Sequence, residues 1–332
     1  MSLSKTLGPL LGALLATAGM TATLDASAKE LSLGTLAPKK SPWGKVFKNW
    51  AKKVDKETKG AVTLNWYYNG QQGDEKAMVA KMRAGQLDGA AVTSVGLSAI
   101  HKPILAFQMP GLFSDWGKLD AARDQLMPEF QEAFKKEGFA LLGSGDVGLA
   151  HTMSKGTPIK APGDLKSMKV YAWSDDPVAP VTASVIGYTP VLSGVPELLP
   201  KLSSGAINVA TVPSLPAVTL QWQQHLDHVN EDVVGVGVGG LVMSQKTLDS
   251  LNADELEVVR KTGKKAGQKL TKKIRKEDEK AFETIKGRMT VVKLTDGERK
   301  VWSDTFKKIR GQLAQGTFPA DLVKKLEGLA GR

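Results

Sequence analysis

The 332-residue chain carries 45 Lys and Arg against 34 Asp and Glu, a net charge of +11, and no cysteine. Thiol nucleophiles, thiolate metal ligands and disulfides are thereby excluded, so stability must come from a buried core. The charge surplus fits a soluble basic surface better than a nucleic-acid groove, because the aromatic residues are not interleaved with the basic ones.

Residues 1–28 have the pattern of an export signal: Lys5, a mostly apolar run from Leu7 to Met20, then the small residues Ala26, Ser27 and Ala28 before a cleavage point. Gly8, Pro9 and Gly12 break the run, which falls short of the ~20 apolar residues a membrane span requires. The expected product is periplasmic, cleaved near Ala28, and free of stable membrane insertion. Its length of about 300 residues favours two lobes over one.

Glu30 to Leu36 alternates apolar and polar residues as a half-buried strand does, and turn residues follow from Gly34 to Ser41. Trp43, Val46, Phe47, Trp50, Ala51 and Val54 then recur at helical spacing. Ala61 to Tyr68 reads as a strand between Gly60 and Asn69-Gly70, Glu75 to Ala84 as a helix ended by Gly85, and Leu87 to Val92 as a strand. This β-α-β-α-β order predicts an α/β fold, a sheet covered by helices.

The segment Met82 to Ser94 recurs in register as Leu202 to Ser214. In each copy an apolar residue closes a helix, Gly85 or Gly205 stops it, Asp88 or Asn208 follows in the turn, and a small-residue strand ends on hydroxyl residues. Strand carboxyl ends are where open α/β sheets present ligands, so one such end per lobe predicts a cleft between them. Further on, Asp254 to Lys286 reads as one helix capped by Asn252 with Glu255, about 50 Å long at 1.5 Å per residue, enough to span both lobes. Its Lys and Arg residues, from Arg260 to Lys276, are expected on a solvated face; a polyanion-binding surface is the lesser reading.

Catalytic motifs are thin, and no enzyme activity or cofactor is expected. Gly235-Val-Gly-Val-Gly-Gly240 spells a dinucleotide fingerprint, but Leu241 to Met243 continues as strand where a helix should receive the pyrophosphate. His225 and His228 flank Asp227 at a spacing compatible with a metal site, which lacks a further ligand nearby.

Five segments in order carry a resemblance: Tyr67 to Glu75, Met82 to Ser94, Gly148 to His151, Pro158 to Trp173 and Glu197 to Pro213. Together they resemble the solute-binding proteins of TRAP transporters, the DctP family. The resemblance implies a two-lobed periplasmic-binding-protein-like fold with a ligand cleft, and a non-enzymatic receptor that delivers a small solute to membrane permease subunits. It implies lobe one from 29–147 plus 236–275 and lobe two from 148–235 plus 276–332.

The resemblance also implies a carboxylate-binding arginine at the position held here by Tyr171, often assisted by one at the position of Ala150. Acidic and polar family positions fall on Thr93, Thr211 and Val212. Neither tyrosine nor alanine neutralises a buried anion as a guanidinium does. Trp43, Tyr68, Thr93, Ala150, Tyr171, Trp173, Val195, Val212 and Ser214 are therefore expected to line a cleft for a neutral or hydrophobic solute. Two alternatives stay open: rescue of anion binding by Lys169 or His151, and a metal site or enzyme built on His225, Asp227 and His228.

Overall fold

The computed structural model describes residues 28–332, so the expected export signal lies outside the described residues save for Ala28. The first half runs β1 (Lys29–Thr35), α1 (Pro42–Glu57), β2 (Val62–Tyr67), α2 (Glu75–Arg83), β3 (Gly89–Thr93), α3 (Ser94–Ser98), a 3-10 turn Lys102–Gln108 and α4 (Trp116–Lys136). Ser41 starts α1 by accepting from Gly44 N at 3.1 Å, with Pro42 at the first helical position. The spacing of Val46, Phe47, Trp50 and Val54 then buries one face of α1.

The second half begins with β4 (Phe139–Ser154), followed by a 3-10 turn Pro162–Ser167, β5 (Tyr171–Trp173), α5 (Val178–Ile186), β6 (Val191–Ser193), α6 (Val195–Ser203), β7 (Val209–Pro213) and α7 (Ser214–Thr219). Then come β8 (His228–Asn230), β9 (Gly235–Ser244), α8 (Gln245–Asp249), α9 (Ala253–Lys286), β10 (Thr290–Val292), α10 (Asp296–Leu313) and α11 (Ala320–Ala330).

One sheet, ordered β10-β8-β4-β9-β3-β1-β2 with β7 also on β4, passes through both lobes. The connection is β4, which pairs antiparallel with β9 from Phe139 to Ala150 and with β7 from Ala150 to Ser154. Register shifts between Leu141 and Gly143 and between Asp146 and Gly148 interrupt its pairing with β9, ahead of the change of partner at Ala150. The glycine fingerprint is strand β9, as its sequence context predicts. A Cβ at Gly239 would stand 2.5 Å from Val92 O, so glycine serves close strand packing there.

The internal repeat is a structural one. Asp88 N donates to Ser32 O at 2.9 Å while its carboxylate accepts from Ser32 N at 2.8 Å. Asn208 makes the same reciprocal pair with Lys169, at 3.0 and 2.8 Å. In both copies a polar side chain in the turn pins the neighbouring segment and so aims the following strand, β3 or β7.

Helix α9 runs unbroken for 34 residues from an Asn252–Glu255 capping box and packs on β4, α1 and α7. Asp278 on its inner side accepts from Leu149 N at 2.7 Å and Leu215 N at 2.8 Å, tying α9 to β4 and to α7. Gly148 sits at φ +144, and a Cβ there would come within 2.2 Å of that carboxylate. Gly148→Ala should therefore cost about 3 kcal/mol or more, read as a lowered midpoint in denaturant unfolding.

The C-terminal helices pack on different elements. Helix α10 packs on α5, and Trp302 Nε1 donates to Lys160 O at 2.9 Å. Helix α11 instead packs on α4 and the Lys102–Gln108 turn, burying Val323, Leu326 and Ala330. Beside that packing Arg310 of α10 pairs with Glu327 of α11 at 2.7 Å and donates to Pro110 O at 3.0 Å.

Candidate functional site

A cavity of about 360 Å³ lies where the carboxyl ends of β3 and β7, the middle of β4 and β9, and β5 converge. Trp43, Thr93, Ala150, Tyr171, Trp173, Val195 and Val212 all line it. The walls are mostly aliphatic and aromatic. Among the described residues that line the cavity there is no Lys, Arg or His; the ionisable acids are Glu75, Asp146 and Asp176.

Each acid has a different occupation. Asp146 is bound by Arg123 and by Arg275 Nε at 2.7 Å, cations whose own side chains stand outside the lining. Glu75 accepts from Thr93 N, Thr93 Oγ1 and Gly96 N at 2.8, 2.7 and 2.8 Å, which fixes the end of β3. Burial pushes its carboxyl up to about 7 against those bonds. Asp176 accepts only from Val178 N, at 2.8 Å, and burial pushes it up to about 6.

Tyr171 presents a buried hydroxyl that has no hydrogen-bond partner among the described residues. Burial first, then the carboxyls of Asp74, Asp176, Glu75 and Asp175, raises this phenol well above its ordinary value. Tyr188 is pushed up to about 12 by burial, with Asp176 adding to it. The polar corner of the cavity is thus acidic in character, and both of its phenols are neutral.

Asp176 gives a pH signature. Its carboxyl rises from 3.8 to about 6 on folding, so the folded chain holds a proton that the unfolded chain has released. That stabilisation is complete below about pH 4 and disappears as pH rises through about 6. Asp176→Asn, which keeps an acceptor for Val178 N, should raise the thermal midpoint by a few degrees at pH 8 and change it much less at pH 4.

Two expected residues are not at the cavity. Tyr68 is buried with Trp66 beneath α1, because the two-residue period of β2 carries both rings to the Phe47 side. Ser214 opens α7 and is fully buried, its hydroxyl without a partner among the described residues; Ser94 does the same in the other copy. The strands β3 and β7 themselves reach the cavity with their final residues, Thr93 and Pro213, one residue earlier.

Neither basic alternative reaches the cavity. Lys169 precedes β5 and is exposed, its Nζ donating to Gly205 O at 2.9 Å. His151 points to the opposite face of β4 from Ala150 and Thr152, stacks on Phe282 at 3.9 Å, and donates from Nδ1 to Asn230 O at 3.0 Å. Burial lowers its imidazole to about 4, so it carries no charge at neutral pH. His228 lies 2.5 Å from Asp227, whose carboxylate accepts from Gly156 N. Among the described residues no group of three or more His, Cys, Asp or Glu could hold a metal ion.

Sequence reasoning missed Asp74, Glu75, Asp176 and Tyr188. Asp176 had a signal, an Asp175-Asp176 pair just past a predicted strand, where α/β folds present ligands. Asp74 had none, since its partners Trp173 and Val195 are more than ninety residues away.

A family model described as bacterial extracellular solute-binding protein, family 7 (DctP) matches residues 33–315. The chain belongs to the DctP family. Its members are substrate-binding receptors of extracytoplasmic compartments rather than enzymes, working with membrane permease components. The C4-dicarboxylate-binding periplasmic protein DctP of Rhodobacter capsulatus is 21% identical over 318 residues, 94% of each chain. A TRAP periplasmic solute-binding protein of Ralstonia eutropha H16 with bound (S)-2-acetolactate superposes with a TM-score of 0.83 at 21% identity, covering 91% of this chain and 98% of that one. One of Shewanella oneidensis with bound succinate gives 0.85 at 18%, covering 92% and 100%. The two-lobed DctP fold is therefore that of this chain, with β4 and α9 passing from one lobe to the other.

Proposed function

We propose that this receptor captures an uncharged, largely apolar molecule bearing a hydroxyl or carbonyl, and hands it to the permease of a TRAP-type transporter. The single observation carrying this reading is the lining: aromatic and aliphatic walls, buried carboxyls, and no cation among the described lining residues. A desolvated carboxylate without a cationic partner costs several kcal/mol, and neighbouring carboxyls add repulsion. An uncharged acceptor meets the opposite situation, because the Tyr171 hydroxyl has an unused proton to donate.

Export through residues 1–28 and hinge closure of 29–147 with 236–275 against 148–235 complete the reading, with α10 and α11 following the lobes they pack on. The relatives that hold succinate and acetolactate supply the contrast. Calorimetry of the purified chain against succinate and acetolactate, beside uncharged apolar alcohols and ketones, tests it. Binding confined to the uncharged set is expected. A succinate Kd of about 10 μM or tighter would overturn the reading.

A further inference from the structure

Asp74 stands at the start of α2, on the lobe that carries β3, yet half of its carboxylate is used by the other lobe. Oδ1 accepts from Glu75 N at 2.8 Å, capping α2. Oδ2 accepts from Trp173 Nε1 at 3.0 Å and from Val195 N at 3.1 Å. Val195 is the first residue of α6, so one carboxylate caps two helices that belong to opposite lobes. Negative charge is favoured at both ends by the helix dipoles and by N–H groups that have no partner inside their helices.

The surrounding chain is shaped for this approach. A Cβ at Gly194 would stand 2.9 Å from Asp74 Oδ2, and one at Gly70 would stand 3.6 Å from Pro196. The second is ordinary contact, but the first is closer than a side chain tolerates, so glycine at 194 lets the start of α6 approach Asp74. Trp173 is itself a cavity wall, which links the contact to the site.

We infer that Asp74 is a positioning residue: it straps the two lobes together beside the cavity through Trp173 and Val195, and holds Trp173 as a fixed wall. Closure then draws on protein-to-protein hydrogen bonds that are the same whatever solute is bound. The inference concerns closure and stands apart from the charge of the ligand.

The absence of native cysteine makes the test direct. Spin labels at Lys48→Cys and Lys166→Cys, both exposed and on opposite lobes, report the interlobe distance in mature protein unfolded and refolded to strip bound solute. Asp74→Ser keeps a capping hydroxyl for α2 but is too short to reach Val195 and Trp173. It should shift the closed-to-open ratio toward open by about tenfold with the thermal midpoint nearly unchanged. Trp173→Phe, which removes only the indole N–H, should shift it the same way by a smaller factor. A distance distribution in Asp74→Ser identical to the parent would overturn the inference.

Discussion

Asp146→Ala should lower the unfolding free energy by about 3–5 kcal/mol in denaturant titration. The Asp146 carboxylate is fully buried and is shared by Arg123 from α4 and Arg275 from α9. Arg275 also grips Asp120 with two parallel bonds of 2.7 and 2.5 Å and stacks over Trp116 at 4.6 Å. Removing Asp146 leaves Arg123 largely buried beside only a distant Asp120 oxygen at 3.6 Å. Breaking a buried pair on one side costs far more than the pair's net worth, because the surviving charge stays desolvated. Asp146→Asn, which preserves shape and one acceptor, should lose less. A loss below about 1 kcal/mol for alanine would show that solvent reaches this network.

The position gives the loss a functional edge. Asp146 pairs with Val238 of β9 next to a register shift in β4, and its carbonyl accepts from Trp43 Nε1 at 3.3 Å. A stability defect there should loosen the wall formed by Trp43 as well as the attachment of α9.

Tyr171→Phe separates the two states of the receptor. In the empty protein it deletes a buried hydroxyl without a partner, so stability should rise by about 1 kcal/mol. On the proposed reading, in which the Tyr171 hydroxyl donates to the solute, affinity should fall about 5- to 30-fold, measured by calorimetry. Opposite signs for stability and affinity are what a ligand-facing hydroxyl requires. Equal affinity for the two proteins would mean that the ring packs the lobe and touches no solute. Tyr171→Arg, by contrast, should not create an acid site. The carboxyls of Asp74, Asp176 and Glu75 surround this position, and the new guanidinium would pair with them rather than with an incoming acid.

Much of this architecture is visible in the one-dimensional pattern, for physical reasons that differ by element. Helix α9 shows itself through period and cap, both local properties, and begins at Ala253, one residue before the expected Asp254. The repeat shows itself because Asp88 and Asn208 do the same job in the same turn. Thr93, Val212 and Trp173 reach the cavity from strand ends, where topology assigns direction, while Ala150 reaches it from within β4. Failures arise where a period stops: β5 is only three residues long, so alternation from Tyr171 does not extend back to Lys169. Tyr68 stands off the cavity because it shares the face of Trp66, and Ser214 because it opens α7 and is buried there. The Asp74 strap, the Arg123–Asp146–Arg275 network and the docking of α11 on α4 depend on partners far away in sequence, and no local signal announces them.

Native mass spectrometry of the mature protein, released from its copurifying solute by organic solvent, tests the cation-free cavity most directly. The account predicts an uncharged, mostly apolar molecule with at least one oxygen acceptor, bound one per chain. A stoichiometric dicarboxylate or sugar acid in the same fraction would contradict it.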